Sequence, residues 1–387
     1  MCLQVVGVLH GMFAVLRSTG VAAQHVGALW LVGHMRQIAQ ALGIGARLWG
    51  SLLQGGFLLP SFGQAPASRA PSGSSMRSQR PKHDCERNGQ TMTIAQSTAA
   101  DVAVILSHRH DQGADWWTTP DRKLLKGAPF TTLESALYLM ELGVTPQHEA
   151  LEAVAQLIFD AWREDGRIKT APSGGLYPCH TALAANVLCR MGYGNDARVK
   201  RTLAYFLDTQ RPDGGWRCEK YSFGHGEETQ YSTPYTTLVV LDLFRQISGF
   251  EDDLRLDRAV AFLLAHWVIR RPISPCHYGI GSRFMQVEYP MRGYGLFYYV
   301  YVLSFYARAR SDERFQAALE ALSAKTVSGE MVVERVVPKL SALTFCRKGR
   351  PSAGATARWR EILQNIEKSP SGSAKNGPGT LAKQAGM

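Results

Sequence analysis

The densest chemical signal in the chain is aromatic. Between Phe284 and Tyr306, nine of 23 residues are Phe or Tyr. Tyr294, Tyr298, Tyr301 and Phe305 recur at the three- and four-residue spacing that places side chains on one stripe of a helix. Facing a cavity, such a stripe can hold an apolar chain against ring faces or stabilise a cation; without a cavity it fills a core. Arg270, Arg271, Arg283 and Arg292 lie in the segment that leads to it. Guanidinium groups there can clamp phosphate oxygens, or form an ordinary solvated basic loop. Acidic residues in the apolar helices are few, chiefly Glu134 and Asp242. Each reads either as a buried acid with a raised pKa or as a partner for a neighbouring helix.

The thiols are scattered as Cys2, Cys85, Cys179, Cys189, Cys218, Cys276 and Cys346. With no CxxC pair and an odd count they do not look like a disulfide framework, so a reducing, cytoplasmic location is expected. Pro-Cys-His occurs twice, at 178–180 and 275–277, with Cys218 and His225 between. Small thiols are commonly plain core residues.

The net charge of +11 comes largely from the first quarter. No Asp or Glu precedes Asp84, while Arg17, Arg36, Arg47, Arg69, Arg77, Arg80 and Lys82 do. The remainder is only mildly basic, and a nucleic-acid partner loses its main support. Residues 1–60 are apolar but interrupted by Gly, Gln, His and Pro, unlike a continuous membrane span. Residues 61–91 become a Pro, Ser, Arg and Gly mixture unsuited to packing. Residues 1–91 therefore read as a disordered extension or an upstream start, and 92–366 as the folded domain. The Gly- and Pro-punctuated stretch 367–387 reads as a disordered tail.

Four units, each an apolar helix followed by an amphipathic one, make up the domain. They begin at TTLESALYLMELGV, CHTALAANVLCRMGYG, YTTLVVLDLFRQISGF and GLFYYVYVLSFYARAR. Aligning the second helices pairs Trp162, Gln210, Trp267 and Lys325, with glycine four residues on at Gly166, Gly214 and Gly329. A helix apolar on most sides must be enclosed. An all-α fold of repeated αα-hairpins follows, the first helices forming an inner ring and the second helices an outer one. A fifth, degenerate hairpin is expected from segments 95–126 and 338–366, or the ring stays open.

Arg201, Tyr205, Gln210, Gly214 and Trp216 have the spacing of the QW motif of squalene and oxidosqualene cyclases, with Thr202 and Phe206 departing from its usual residues. With DGGWRC at 213–218 and GRPSAGAT at 349–356, the region resembles the terpenoid-cyclase and protein-prenyltransferase superfamily, whose fold is an α/α toroid. Gln210 is expected to satisfy orphan groups at a neighbouring helix terminus and Trp216 to clamp adjacent hairpins, both as scaffold.

The resemblance implies an enzyme, a transferase or isomerase of the prenyltransferase or terpene-cyclase kind, with Glu134 and Asp242 as the candidate catalytic acids. It would act on or bind an isoprenoid in a central aromatic cavity, either a prenyl diphosphate or a polyprenyl hydrocarbon. Tyr294, Tyr298, Tyr301 and Phe305 would then line the cavity, and Arg283 and Arg292 meet the phosphates. The acid motif DxDD of the cyclases is missing, and so is DDxxD, since Leu256 stands at its last position. The string Glu251-Asp252-Asp253 reads as favourable charge at a helix start. Prenyltransferases hold zinc through Asp, Cys and His, and the resemblance makes Cys179, Cys218, Cys276 and His277 the candidate ligands, with His180 and His225 in reserve. Tyr177 stands where the Asp would be. The other reading is a non-catalytic toroid that binds a lipid or a protein. Peripheral membrane contact is compatible with either.

Overall fold

The ends of each helix are set by the residues that flank its apolar run. The computed structural model describes residues 94–218, 220, 226–250 and 253–368. The expectations for residues 1–91, for His225, for Glu251 and Asp252, and for the tail from 369 lie outside the described residues. Among those described, the fold is mostly helical: α1 Ile94–Ser107, α2 Thr132–Glu141, α3 Glu149–Asp160, α4 Pro178–Arg190, α5 Ala197–Asp208, α6 Pro234–Phe244, α7 Leu254–Ile269, α8 Leu296–Leu303, the one-turn α9 Ala307–Arg310, α10 Glu313–Ser323 and α11 Ala353–Glu367. A two-residue antiparallel hairpin, β1 Thr326–Val327 and β2 Glu330–Met331, pairs Thr326 with Met331. The described residues are mostly helical, compatible with the all-α class expected from the sequence.

Helix α2 starts at Thr131, whose hydroxyl accepts the amide of Glu134 and donates to the Glu134 carboxylate. The cap thereby satisfies one of the amides that the helix end leaves open. Pro178 and Pro234 open α4 and α6 at positions where a missing N–H costs nothing. The amphipathic helices α5, α7 and α10 share another start. Asp196, Asp253 and Asp312 cap them, accepting the amides of Arg198, Arg255 and Arg314. The same arginines then grip the capping carboxylates at 2.9, 2.6 and 2.7 Å. Asp253 thus does sit at a helix start, as expected.

Helices α6 and α8 are buried on nearly every side, whereas α5 buries only Val199, Thr202, Leu203 and Phe206. Helix α4 packs on α2 and α6, α6 on α8, and α8 on α11. Helix α11 reaches back to α2, where Arg358 Nη2 lies 2.9 Å from Glu141 Oε2. At the chain's other end, Asp101 of α1 accepts the amides of Thr344 and Phe345. Segments 95–126 and 338–366, expected to pair, are therefore joined directly. No helix among the described residues is long and apolar enough to cross a membrane.

The repeat is visible in its contacts. Trp162 Nε1 donates to the carbonyl of Arg198 at 3.1 Å, and Gln210 Nε2 donates to the carbonyl of Arg255 at 2.6 Å. Both acceptors lie in the first turn of the next amphipathic helix. Gln210 therefore does reach a neighbouring helix terminus, but it meets a carbonyl there and not an orphan amide. Trp216 is buried, donates to the carbonyl of Phe206 and meets that ring edge-on.

The fourth apolar helix differs from expectation. Gly295 is extended, so α8 begins only at Leu296. Beyond Leu303 the Ser304 hydroxyl bonds back to the Tyr301 carbonyl, and Arg310 takes the Ser304 carbonyl, ending the helix. Tyr294 and Phe305 thus fall outside the helix that the stripe presumed.

Gly166 and Gly214 both have positive φ, and a Cβ on either would meet a carbonyl of the next hairpin: Arg201 O at 2.7 Å and Arg258 O at 2.5 Å. Gly143 has a similar φ with nothing within 4 Å. Gly143→Ala should cost roughly 1–2 kcal/mol from its backbone alone. Gly214→Ala should cost roughly 3 kcal/mol, because overpacking adds to that strain. Urea unfolding of the two variants checks the difference.

Candidate functional site

The apolar helices enclose two adjoining cavities that share Glu134, Leu183 and Tyr235 in their walls. One, of about 90 Å³, is walled by five tyrosines and by paired charges. The other, of about 250 Å³, is walled by three thiols together with His180, Lys220, Leu125 and Tyr278. Both are smaller than the roughly 300–1,000 Å³ usual for ligand pockets, which limits an occupant to a short chain.

Every carboxylate in the tyrosine cavity is held by an arginine. Asp242 of α6 accepts from Asn186 and Tyr298 at 2.7 and 2.8 Å, with Arg190 at 3.3 Å and Arg245 on its other oxygen. Burial alone would raise its pKa, but Arg245, Arg190 and Tyr298 outweigh it and hold the carboxyl below its ordinary value. Of the two readings of Asp242, the contacts favour the partner for neighbouring helices over the raised acid. Glu141 behaves alike, burial being overcome by Arg358 and Tyr289. Glu134 receives the guanidinium of Arg292, Nε at 2.9 Å.

Of the aromatic stripe, Tyr298 and Tyr301 line the cavity. Phe305 lies behind it, and the Arg245 guanidinium rests against both Phe305 and Tyr301, at 4.4 and 4.6 Å from their ring centres. Tyr294 packs on Phe284 and binds His266 at 2.8 Å. Of the two proposed phosphate-binding arginines, Arg292 lines the cavity while Arg283 is exposed and away from it. Tyr138, Tyr235, Tyr289, Arg190, Arg245 and Arg358 were not anticipated. A signal existed for three of them, since Arg190 and Arg245 are charges on apolar helices and Arg245 follows Asp242 by one turn, as does Tyr138 the predicted Glu134.

In the thiol cavity the sequence's three cysteines converge from separate segments. Cys179 follows the first residue of α4, Cys218 follows the Trp216 turn, and Cys276 lies in the loop after α7. Cys179 and Cys218 have their sulfurs 3.1 Å apart, and Cys276 Sγ lies 3.1 Å from the carbonyl of Cys218. The Cys218 thiol is held below its ordinary value by the neighbouring thiol of Cys179 and then that of Cys276, while Cys179 is pushed up by Cys218 and by burial. His277 is exposed and does not line the cavity; His180 does. Burial, then Lys220, pushes His180 down to about 4, so it is a neutral imidazole at pH 7, facing Thr170 at 3.0 Å and Lys220 at 3.3 Å.

Three thiols and an imidazole are, in kind, a zinc donor set. In spacing they do not fit one. Thiolates at ~2.3 Å from a tetrahedral ion stand about 3.7 Å apart, Cys276 faces a carbonyl, and both nitrogens of His180 face other partners. Among the described residues no group of three His, Cys, Asp or Glu is disposed to hold a metal.

No family model and no curated protein matches the chain.

Two predictions follow from these environments. Because the pKa of Asp242 lies lower in the folded chain than in the unfolded one, its stabilisation is full above the ordinary carboxylate value and fades as pH falls through the folded one. Asp242→Asn should then lose about 3–5 kcal/mol at neutral pH by leaving Arg245 unpaired, and the gap to the parent should narrow in acid, as read by urea unfolding across pH. At the thiols, a pH titration followed by ultraviolet thiolate absorbance should lose its lowest step in Cys218→Ser. Stoichiometric zinc in the purified protein would instead show that the trio rearranges around a metal.

Proposed function

We propose that residues 94–368 form a closed α/α toroid and that its central cavities bind a short isoprenoid. The closure is supported by the succession of α2, α4, α6, α8 and α11 and by the return from Arg358 to Glu141. The observation that carries the ligand reading is the position of the two cavities. They sit among the apolar helices and are walled by rings and aliphatic groups, Tyr235, Tyr298, Leu137, Leu183 and Leu125, with thiols at one end. Such walls suit an unsaturated apolar chain. The superfamily resemblance of residues 131–329 agrees with both parts of the reading.

A second reading, an enzyme of the prenyl-transfer type, is favoured by one further feature. Cys218, with its lowered pKa, stands on the wall of the thiol cavity, and a thiolate is a nucleophile. Against it, no carboxylate in the tyrosine cavity is left without an arginine to serve as a general acid.

Native mass spectrometry of the purified full chain tests the binding reading. The expected result is a bound isoprenoid that denaturation releases, or uptake of geraniol or geranyl diphosphate by ligand-free protein. Failure to retain any of these would remove it. Incubation with geranyl diphosphate tests the second reading. A geranyl thioether on Cys218, formed as diphosphate departs, would establish transfer; an unmodified chain would leave binding alone.

A further inference from the structure

The charges around the tyrosine cavity cancel. Its walls carry Arg190, Arg292 and Arg358 against Glu134, Glu141 and Asp242, each acid in contact with one of these bases. One layer behind, Arg245 on Asp242 is matched by Glu361 on Arg358. A diphosphate entering here finds no uncommitted guanidinium. It would have to displace carboxylates from arginines that are themselves largely buried, leaving the acids desolvated and unpaired.

One polar group on the same wall is uncommitted. Tyr138 is 2% exposed, and its hydroxyl, which lies beside the Arg292 guanidinium, has no acceptor for its proton. Its neighbours on the wall are satisfied: Tyr298 donates to Asp242, Tyr289 to Glu141, Tyr301 to Glu361 and Tyr235 to the carbonyl of Arg292. In the adjoining cavity Thr236, fully buried, also has an unpartnered hydroxyl. A buried hydroxyl left without a partner costs about 1–3 kcal/mol, and a cavity wall is where a ligand can remove that cost. Burial also keeps the Tyr138 phenol protonated, with its pKa well above the ordinary value. It is therefore a neutral donor awaiting an acceptor.

We propose that the tyrosine cavity receives the uncharged oxygen end of the ligand, an alcohol or a carbonyl that accepts a hydrogen bond from Tyr138, and discriminates against a diphosphate. This rests on the isoprenoid reading above and narrows it. The hydrocarbon chain then extends past Tyr235 and Leu183 toward the thiols, because those residues are shared by both cavities.

Titration calorimetry of the full chain with geraniol and with geranyl diphosphate tests the proposal. Geraniol should bind more tightly than its diphosphate. Tyr138→Phe should weaken geraniol roughly threefold to tenfold, the worth of one hydrogen bond, with the free protein's melting temperature unchanged or raised, since the variant removes an unsatisfied group. Glu134→Gln, which releases Arg292 from its carboxylate, should bring up binding of the diphosphate. Tighter binding of the diphosphate to the parent protein would overturn this inference and leave the isoprenoid reading standing. Unchanged geraniol affinity in Tyr138→Phe would overturn the assignment of the donor. Binding of neither compound would remove the isoprenoid reading itself.

Discussion

The interior is organised around one carboxylate. Asp242 sits in a helix otherwise made of buried apolar residues, and its two oxygens gather Asn186 and Arg190 from α4, Arg245 from its own helix and Tyr298 from α8. An ion in that position is tolerable only when fully paired and hydrogen-bonded. The demand therefore fixes the relative rotation of three helices at once. Apolar packing alone would accept many rotations of α6, which is buried almost all round. The charge selects one of them. Arg245 in turn rests against the rings of Tyr301 and Phe305, so the aromatic region of the fourth unit is partly a housing for a guanidinium.

Around that centre the hairpins are joined by a contact that recurs without recurring residues. Trp162 and Gln210 differ in size and chemistry, yet each hands an N–H to a carbonyl in the first turn of the following amphipathic helix. Beside each, a glycine lets the turn approach the carbonyl one turn further along. What repeats is a donor position and a gap for a backbone. The capping Asp with an Arg two residues on repeats at the starts of the amphipathic helices α5, α7 and α10 in literal form, because a cap has fewer chemical solutions.

Those differences explain what could be read from the sequence. Helix existence and the four units were legible, since burial on all sides or on one side leaves a periodic record. Cys179, Cys218 and Cys276 were legible as a set because each occupies the loop end of a hairpin, and loop ends on one side of a stack meet. His277 shares its motif with Cys276 but turns outward, at φ 50°, and motif spacing carries no information about that turn. The stripe from Tyr294 to Phe305 kept helical spacing across residues that are not helical, because Gly295 and Ser304 set the ends by local hydrogen bonding. Asp242 and Glu134 were identifiable as acids in apolar helices. Their full set of partners was not, since Arg190 lies 52 residues from Asp242 and Arg292 lies 158 from Glu134.

Asp101 near one end of the described chain holds the amides of residues 243 and 244 positions later, and Glu141 holds Arg358 across 217. Bonds of that span have a consequence for synthesis on the ribosome. The chain grows from its N-terminus at about 5–20 residues per second, so α1 and α2 emerge at least ten seconds or so before α11 exists. During that interval the surfaces destined for α11 and for residues 344–345 are open to water and to other nascent chains. The early hairpins can form on local contacts alone, whereas the closing contacts must await residues 344 to 358 and carry the slow, high-contact-order part of folding.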